Sequence, residues 1–492
     1  MPQELNNKIT KATKWSAITE VMAKLVMPIV NIILARLLTP EAFGVVTTLT
    51  MIITFAEIFT DAGFQKYLIQ HEFIDEEDKN KSTNVAFWSN LLMSLLIWGI
   101  IALFSEQLAS MVGNPGLGNV LIVACVSIPL LAFSSIQQAL YKRDMDFKTL
   151  FKVRMIGIFV PLFVTVPLAF ALRSYWALII GTITQNLVNA IVLTLFSKWK
   201  PRLYYSLAKL KEMLSFTVWS MIESVSIWLT NYVDVFIVGT SLNQYYLGLY
   251  KTSSTTVGQV MGLITGITTP ILFSALSRLQ SDEMEFQHLF FKFQKYISIL
   301  IMPIGVGFFC YSELVTKILL GNQWLETSGY IGLWGLTSAI TIILSHYSSE
   351  VYRAKGRPKL SVLAQCLHLI VMWPAVAIAV KYGYEALYVT RSMVRFEMIL
   401  VNLVLMEHFI QISSKKMLKN VLPSFVASMI MGIFGFVFVK ISDNIWWQLM
   451  SIIICAIVYF IFVRLFPEEK RIIELKVIRP FVSTMNRVKN RR

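Results

Sequence analysis

Residues 151–202 read FKVRMIGIFVPLFVTVPLAFALRSYWALIIGTITQNLVNAIVLTLFSKWKPR. Two apolar runs, 152–171 and 175–197, are separated by a short turn that holds Arg173. As helices rising about 1.5 Å per residue, each is long enough to cross about 30 Å of hydrocarbon. Lys152 and Arg154 open the pair, and Lys198, Lys200 and Arg202 follow it. Basic residues gather on the cytoplasmic side of membrane proteins. The stretch therefore predicts a helical hairpin that crosses a bilayer twice, with both ends inside.

The same pattern extends in both directions. Of the 492 residues 56% are hydrophobic and 15% charged, with a mean hydropathy of +0.63. Soluble chains are nearer half apolar and a quarter charged, so a soluble enzyme is excluded. Spans are expected at about 15–36, 41–62, 84–104, 116–139, 152–171, 175–197, 214–239, 245–275, 290–312, 326–349, 358–380, 383–407, 418–439 and 445–464. With both termini inside, 35 of the 44 lysines and arginines fall on the cytoplasmic side and six on the other. The remaining three, Lys24, Arg391 and Arg395, lie within spans. One span more or fewer would reverse every loop after it and destroy this asymmetry. The net charge of +15 belongs to these loops and is not a sign of nucleic acid. The first run carries Glu20 and Lys24 and lacks a small-residue cleavage site after it, so it reads as a span and not a signal peptide.

The expected fold is an all-α integral membrane protein of about 14 transmembrane helices. The chain also resembles itself at an offset of 204: Trp15-Ser16 maps onto Trp219-Ser220, Leu38 onto Leu242, and Gly44 onto Gly248. An even number of spans separates the copies, so they share one orientation, a known transporter plan. This gives two parallel six-helix lobes plus two C-terminal helices. The lobes are residues 1–197 and 214–410, joined by a cytoplasmic linker at 198–213. The extra helices occupy 411–464, and a basic cytoplasmic tail, 465–492, can lie on the anionic inner leaflet. Pro28, Pro129, Pro161, Pro167, Pro270, Pro303 and Pro374 fall inside spans, as kinks or hinges.

Ionisable groups inside a membrane are costly, so each is a candidate for function. Lys24 lies about ten residues into the first span, with Glu20 one turn before it in the order that favours a pair. Arg391 and Arg395 share a helix face, and guanidinium forks suit phosphate oxygens. Lys251 can snorkel outward or face a cavity. These four cations are candidate substrate-binding residues. Glu20, Glu223 and Asp234 are candidate ion-coupling residues, because a carboxylate facing a cavity can carry H+ or Na+. Glu57 and Asp61 read as the structural end of the second span. His346 and Glu350 lack the further ligands a metal site needs. Cys125, Cys310, Cys366 and Cys455 all sit in apolar runs without a CxxC pair. No nucleotide-binding loop and no cofactor site is expected. More positive than negative handles point to an anionic substrate.

The segments Lys14-Trp15-Ser16-Ala17-Ile18, Leu34-Ala35-Arg36-Leu37-Leu38 with Phe43-Gly44, and Asp61-Ala62-Gly63-Phe64 with Leu68-Ile69-Gln70 resemble the Wzx-type polysaccharide exporters. Within these the similarity is to the colanic-acid and teichuronic-acid exporter branch of the multidrug/oligosaccharidyl-lipid/polysaccharide superfamily. Gly113-Asn114-Pro115, Lys142-Arg143-Asp144-Met145-Asp146-Phe147 and Leu320-Gly321-Asn322-Gln323-Trp324 extend it. The resemblance implies two six-helix lobes around a central cavity, and a flippase in the bacterial plasma membrane. The implied substrate is an undecaprenyl-pyrophosphate-linked oligosaccharide repeat, with Lys24 matching by position the basic residues that meet the pyrophosphate. Implied partners are membrane lipids, a coupling H+ or Na+, and the glycan polymerase and glycosyltransferases of the same pathway. Two other readings stand beside it. A multidrug/cation antiporter of the superfamily would favour twelve spans and an acidic cavity. A glycan polymerase or ligase would need a large external loop.

Overall fold

The computed structural model describes residues 2–61 and 63–473. The side chains of residues 2–14, 16–17, 20–21, 61, 214–223 and 472–473 lie outside that description. The described residues are helices joined by turns, without a strand. The chain divides into two compact units, Met1–Thr252 and Ser253–Arg492.

The first unit contains α1 (Pro2–Leu37), α2 (Pro40–Asp61), a short α3 (Phe64–Gln70), α4 (Glu76–Leu103) and α5 (Ser105–Met111). It continues with α6 (Gly118–Ala124), α7 (Ser127–Arg143), α8 (Phe147–Val160), α9 (Val166–Leu172), α10 (Tyr175–Phe196) and α11 (Leu207–Ser241). It ends in the first turns of α12 (Gln244–Arg278). The second unit takes the rest of α12, then α13 (Glu283–Cys310), α14 (Ser312–Leu319), α15 (Ser328–Thr341), α16 (Ser348–Ala354) and α17 (Lys359–Ala379). Last come α18 (Tyr384–Met393), α19 (Arg395–Ile410), α20 (Ser414–Ile441), α21 (Ile445–Val463) and α22 (Pro467–Ile473).

Helix lies at each of the fourteen expected places. Among the described residues eleven stretches are long and apolar enough to cross a membrane. The other three places are α1, α11 and the α18–α19 pair, which breaks at Val394 and carries Arg391, Arg395 and Glu397. The outer surface of the helices is apolar: Ile370 (68% exposed), Trp373 (59%) and Ile433 (63%) are among many large side chains turned outward. Water would not tolerate that coat, and hydrocarbon requires it.

The opening hairpin forms as the sequence implies. α8 runs from an N-cap in which Asp146 accepts from the Thr149 amide (3.1 Å) and hydroxyl (2.7 Å). Pro161 opens a π-helical stretch, 161–165, so the missing donor is absorbed by a wider turn. Arg173 takes a left-handed conformation (φ 47°) that ends α9 and lets α10 return. Other segments quoted above are also turn devices. Arg143 donates to the carbonyls of Leu68 (2.8 Å) and His71 (2.7 Å), closing the end of α3. Its guanidinium lies 4.5 Å from the centre of the Phe73 ring. Gly63 (φ 77°) starts α3. Trp324 is fully buried in the turn after Gly321, whose φ of 109° suits glycine.

Candidate functional site

Inside the first unit α2, α4, α7 and α11, with the start of α3, line a half-open polar pocket of about 330 Å³. Glu57, Lys66, Asn90, Ser135, Gln138 and Ser224 are on its wall. Asn90 is fully buried and anchors the pocket. Its amide nitrogen donates to Ser135 Oγ (2.7 Å) and to the Ala132 carbonyl (3.2 Å), which fixes the rotamer. Its Oδ1 then accepts nothing among the described residues. A buried acceptor without a donor is costly, and water or a ligand hydroxyl would relieve it.

α3 is held over this pocket by a second set of contacts. Tyr67 donates to Glu212 on α11 (2.8 Å), and His71 stacks on the Tyr67 ring at 4.5 Å while reaching the same carboxylate at 3.6 Å. Burial, reinforced by the Glu212 carboxylate, pushes the Tyr67 hydroxyl well above its ordinary range. It therefore stays a donor at every physiological pH.

At the opposite end of the same unit the backbone closes tightly. A Cβ added to Gly44 would sit 1.9 Å from the Gln244 carbonyl oxygen, and one added to Gly248 would sit 1.8 Å from the Pro40 carbonyl oxygen. Pro40 and Gln244 stand 204 positions apart, as do Gly44 and Gly248. The two contacts are thus reciprocal: each helix start receives the carbonyl of the other's equivalent residue. Gly113 (φ 81°) adds a third close approach, 1.8 Å from the Gly239 carbonyl for an added Cβ. Gln244 donates to the Gly113 carbonyl, and Asn114 donates to Thr48 on α2.

The residues singled out from sequence are distributed as follows. Lys24 is half-buried on α1. The Glu20 and Glu223 side chains lie outside the described residues. Asp234 is buried, accepts from Tyr250 Oη at 2.6 Å and from the Val235 amide at 2.8 Å. Lys251, beside Tyr250 in sequence, places its ammonium 5.3 Å from the Tyr232 ring centre. In the second unit Arg391 and Arg395 share the Trp334 ring, at 5.2 and 3.7 Å. Arg395 also donates to Ser338 Oγ (2.5 Å) and the Trp334 carbonyl (3.4 Å). His368 and Glu397 pair nearby at 2.9 Å. No group of three or more metal-binding side chains occurs among the described residues.

The cations within the spans do not mark the pocket. Its signal was uncharged: Asn90 and Gln138 are amides in otherwise apolar spans, and such residues bond across membrane helices. Glu57 reads in the sequence as a helix end. It is one, and its side chain also lines the pocket.

Residues 33–329 match the family described as "Polysaccharide biosynthesis protein". The chain is 22% identical over 332 residues to the succinoglycan biosynthesis transport protein ExoT of Rhizobium meliloti (strain 1021), covering 68% of this chain and 66% of that one. It is 22% identical over 326 residues to the lipopolysaccharide biosynthesis protein WzxC of Escherichia coli (strain K12), covering 65% of each. In fold it is similar to the lipid II flippase MurJ in an inward closed conformation: TM-score 0.71, 16% identity, 93% of this chain and 99% of that one.

Proposed function

The chain belongs to the polysaccharide biosynthesis protein family, and from that premise we propose that it moves an undecaprenyl-pyrophosphate-linked oligosaccharide repeat from the inner to the outer leaflet of a bacterial plasma membrane. The observation that carries this reading is the polar pocket within an apolar, membrane-spanning unit. A pyrophosphate and a sugar chain cannot enter hydrocarbon without losing their hydrogen bonds. A pocket with an ammonium (Lys66), a carboxylate (Glu57) and amides (Asn90, Gln138) offers replacements. Lys66 suits the pyrophosphate, while Asn90 Oδ1 and Glu57 suit sugar hydroxyls as acceptors.

The pocket stands near the end where the basic loops gather, and the reciprocal glycine crossing seals the other end. Flipping then requires the crossing to part after the head group has entered, with the polyprenyl chain remaining in lipid. That order is alternating access. Lys24, Lys251, Arg391 and Arg395 remain candidates for substrate contact on the way. Glu20, Glu223 and Asp234 remain candidates for coupling H+ or Na+.

The test is deletion of the gene, followed by assay of the lipid-linked repeat and of surface glycan. Full-length repeat units should accumulate on the inner leaflet while surface glycan disappears, and the wild-type gene should restore both. Normal surface glycan with altered drug tolerance would overturn the proposal in favour of an antiporter.

A further inference from the structure

The second unit carries a cavity of about 950 Å³ far along the chain from the polar pocket, between α13, α20 and α22. Its wall holds five cations, Lys292, Lys295, Lys416, Lys419 and Arg471, against two carboxylates, Glu468 and Glu469. Lys295 engages both carboxylates, Glu469 at 3.4 Å. Its ammonium holds the Glu468 carboxyl below the usual range. Lys416 lies 4.4 Å from the centre of the Phe291 ring. Among the described residues no carboxylate reaches Lys292, Lys419 or Arg471, and all three are exposed. The cavity thus has a surplus of positive charge, five cations against two carboxylates, both of which face Lys295.

The helices that form it lead away into apolar surface. α13 and α20 run alongside each other, joined by Asn420 to the Phe291 carbonyl (2.8 Å) and to Gln294 Oε1 (3.0 Å), and by Ser298 to Ser424 (3.1 Å). Two turns beyond Lys292, Leu300 is 52% exposed. Beyond Lys419, Leu422 is 53% and Val426 38% exposed. A cationic mouth thus continues into two apolar flanks at the depth where lipid chains begin. Free phosphate would use the cations and leave those flanks uncovered. A phospholipid would use both.

We infer that the cavity between α13, α20 and α22 is a binding site for an anionic phospholipid of the inner leaflet, its phosphodiester held by Lys292, Lys419 and Arg471 and its acyl chains laid along Leu300 and Leu422. The inference does not depend on the transport reading. It assigns the C-terminal helices a role, since α20 and α22 complete this site against α13. The bound lipid would fix α22, and with it the end of α21, to the body of the second unit.

The test uses the full-length protein, purified in detergent and stripped of lipid by washing. Thermal unfolding is followed while phosphatidylglycerol, phosphatidylcholine or inorganic pyrophosphate is added. Phosphatidylglycerol should raise the unfolding midpoint, with phosphatidylcholine ineffective at the same concentration and any pyrophosphate response, which the pocket of Lys66 can give, insensitive to the cations of this cavity. The triple variant Lys292→Gln, Lys419→Gln, Arg471→Gln should need at least about tenfold more phosphatidylglycerol for the same shift, since each cation near an anionic surface contributes appreciably. A pyrophosphate response as large as the phosphatidylglycerol one and lost in the triple variant would show that the site reads phosphate alone and overturn the lipid assignment, as would an unchanged phosphatidylglycerol response in the triple variant. Native mass spectrometry of the wild-type protein needs no variant. It should find anionic phospholipid retained in preference to phosphatidylethanolamine, and the absence of that preference would also refute the site.

Discussion

Single residues separate by what surrounds them, contacts of the frame or the wall of the pocket. Arg395 is in the first group by its contacts: a ring at 3.7 Å, a hydroxyl and a carbonyl. Arg395→Ala is expected to lower stability by about 1.5–3 kcal/mol, the range for hydrogen bonds made by a charged group. Arg395→Lys should recover little of it, because one ammonium does not reproduce a planar fork on a ring. The thermal midpoint in detergent checks both. Lys66 is in the second group. Lys66→Ala should reduce export about tenfold or more with unchanged protein in the membrane, the loss expected for one charge-assisted contact. Export at wild-type level would remove Lys66 from the site. Lys24→Ala is read the same way: normal membrane levels with impaired export would place it on the substrate path. The difference in legibility follows from the same division. Lys24, Arg391 and Arg395 stand out in sequence because charge in an apolar run is rare. Asn90 does not stand out, because its importance lies in one orphaned oxygen that only the surrounding helices create.

Among the elements, the turns are what the family segments encode. Arg143 closes α3, Asp146 starts α8, and Asn114 ties a turn to Thr48 on α2. Each is local chemistry with a spacing that a sequence displays. The packing of α12 against α2 is not local, and hydropathy is silent on it. It became partly legible through the 204-residue offset, because Gly44 and Gly248 fall on equivalent positions and turn out to face each other's helix starts. At Gly248 an added methyl meets a backbone carbonyl, which cannot rotate away as a side chain can. Gly248→Ala and Gly44→Ala should therefore part α2 from α12 and destabilise the crossing by about 1–3 kcal/mol, as overpacking does. Thr48→Cys, made in a Cys366→Ser background, reports the opening. Cys366 is the exposed native thiol, whereas Cys125, Cys310 and Cys455 are buried. A membrane-impermeant maleimide should label Thr48→Cys slowly in the wild-type crossing and faster with Gly248→Ala. Equal rates would show that the crossing is not what seals that end.

For the whole molecule the deciding quantity is orientation, which hydropathy leaves open and charge supplies. The asymmetry of 35 basic residues against six predicts the loop around Pro115 outside and the linker around Leu203 inside. Both positions are exposed, Leu203 at 92%. In the Cys366→Ser background, Pro115→Cys should react with an impermeant maleimide on intact cells. Leu203→Cys should react only after the membrane is permeabilised. The opposite pattern would invert the protein, placing the polar pocket with Lys66 and Glu57 at the outer end and the glycine crossing at the inner one. A lipid-linked substrate made in the cytoplasm would then meet the sealed end first, and the transport direction proposed above would fail. The positive-inside asymmetry opposes that inversion, because short loops this basic are retained on the cytoplasmic side during insertion. The direction of transport therefore rests on the same residues, Lys198, Lys200 and Arg202 among them, that marked the first hairpin as a pair of spans.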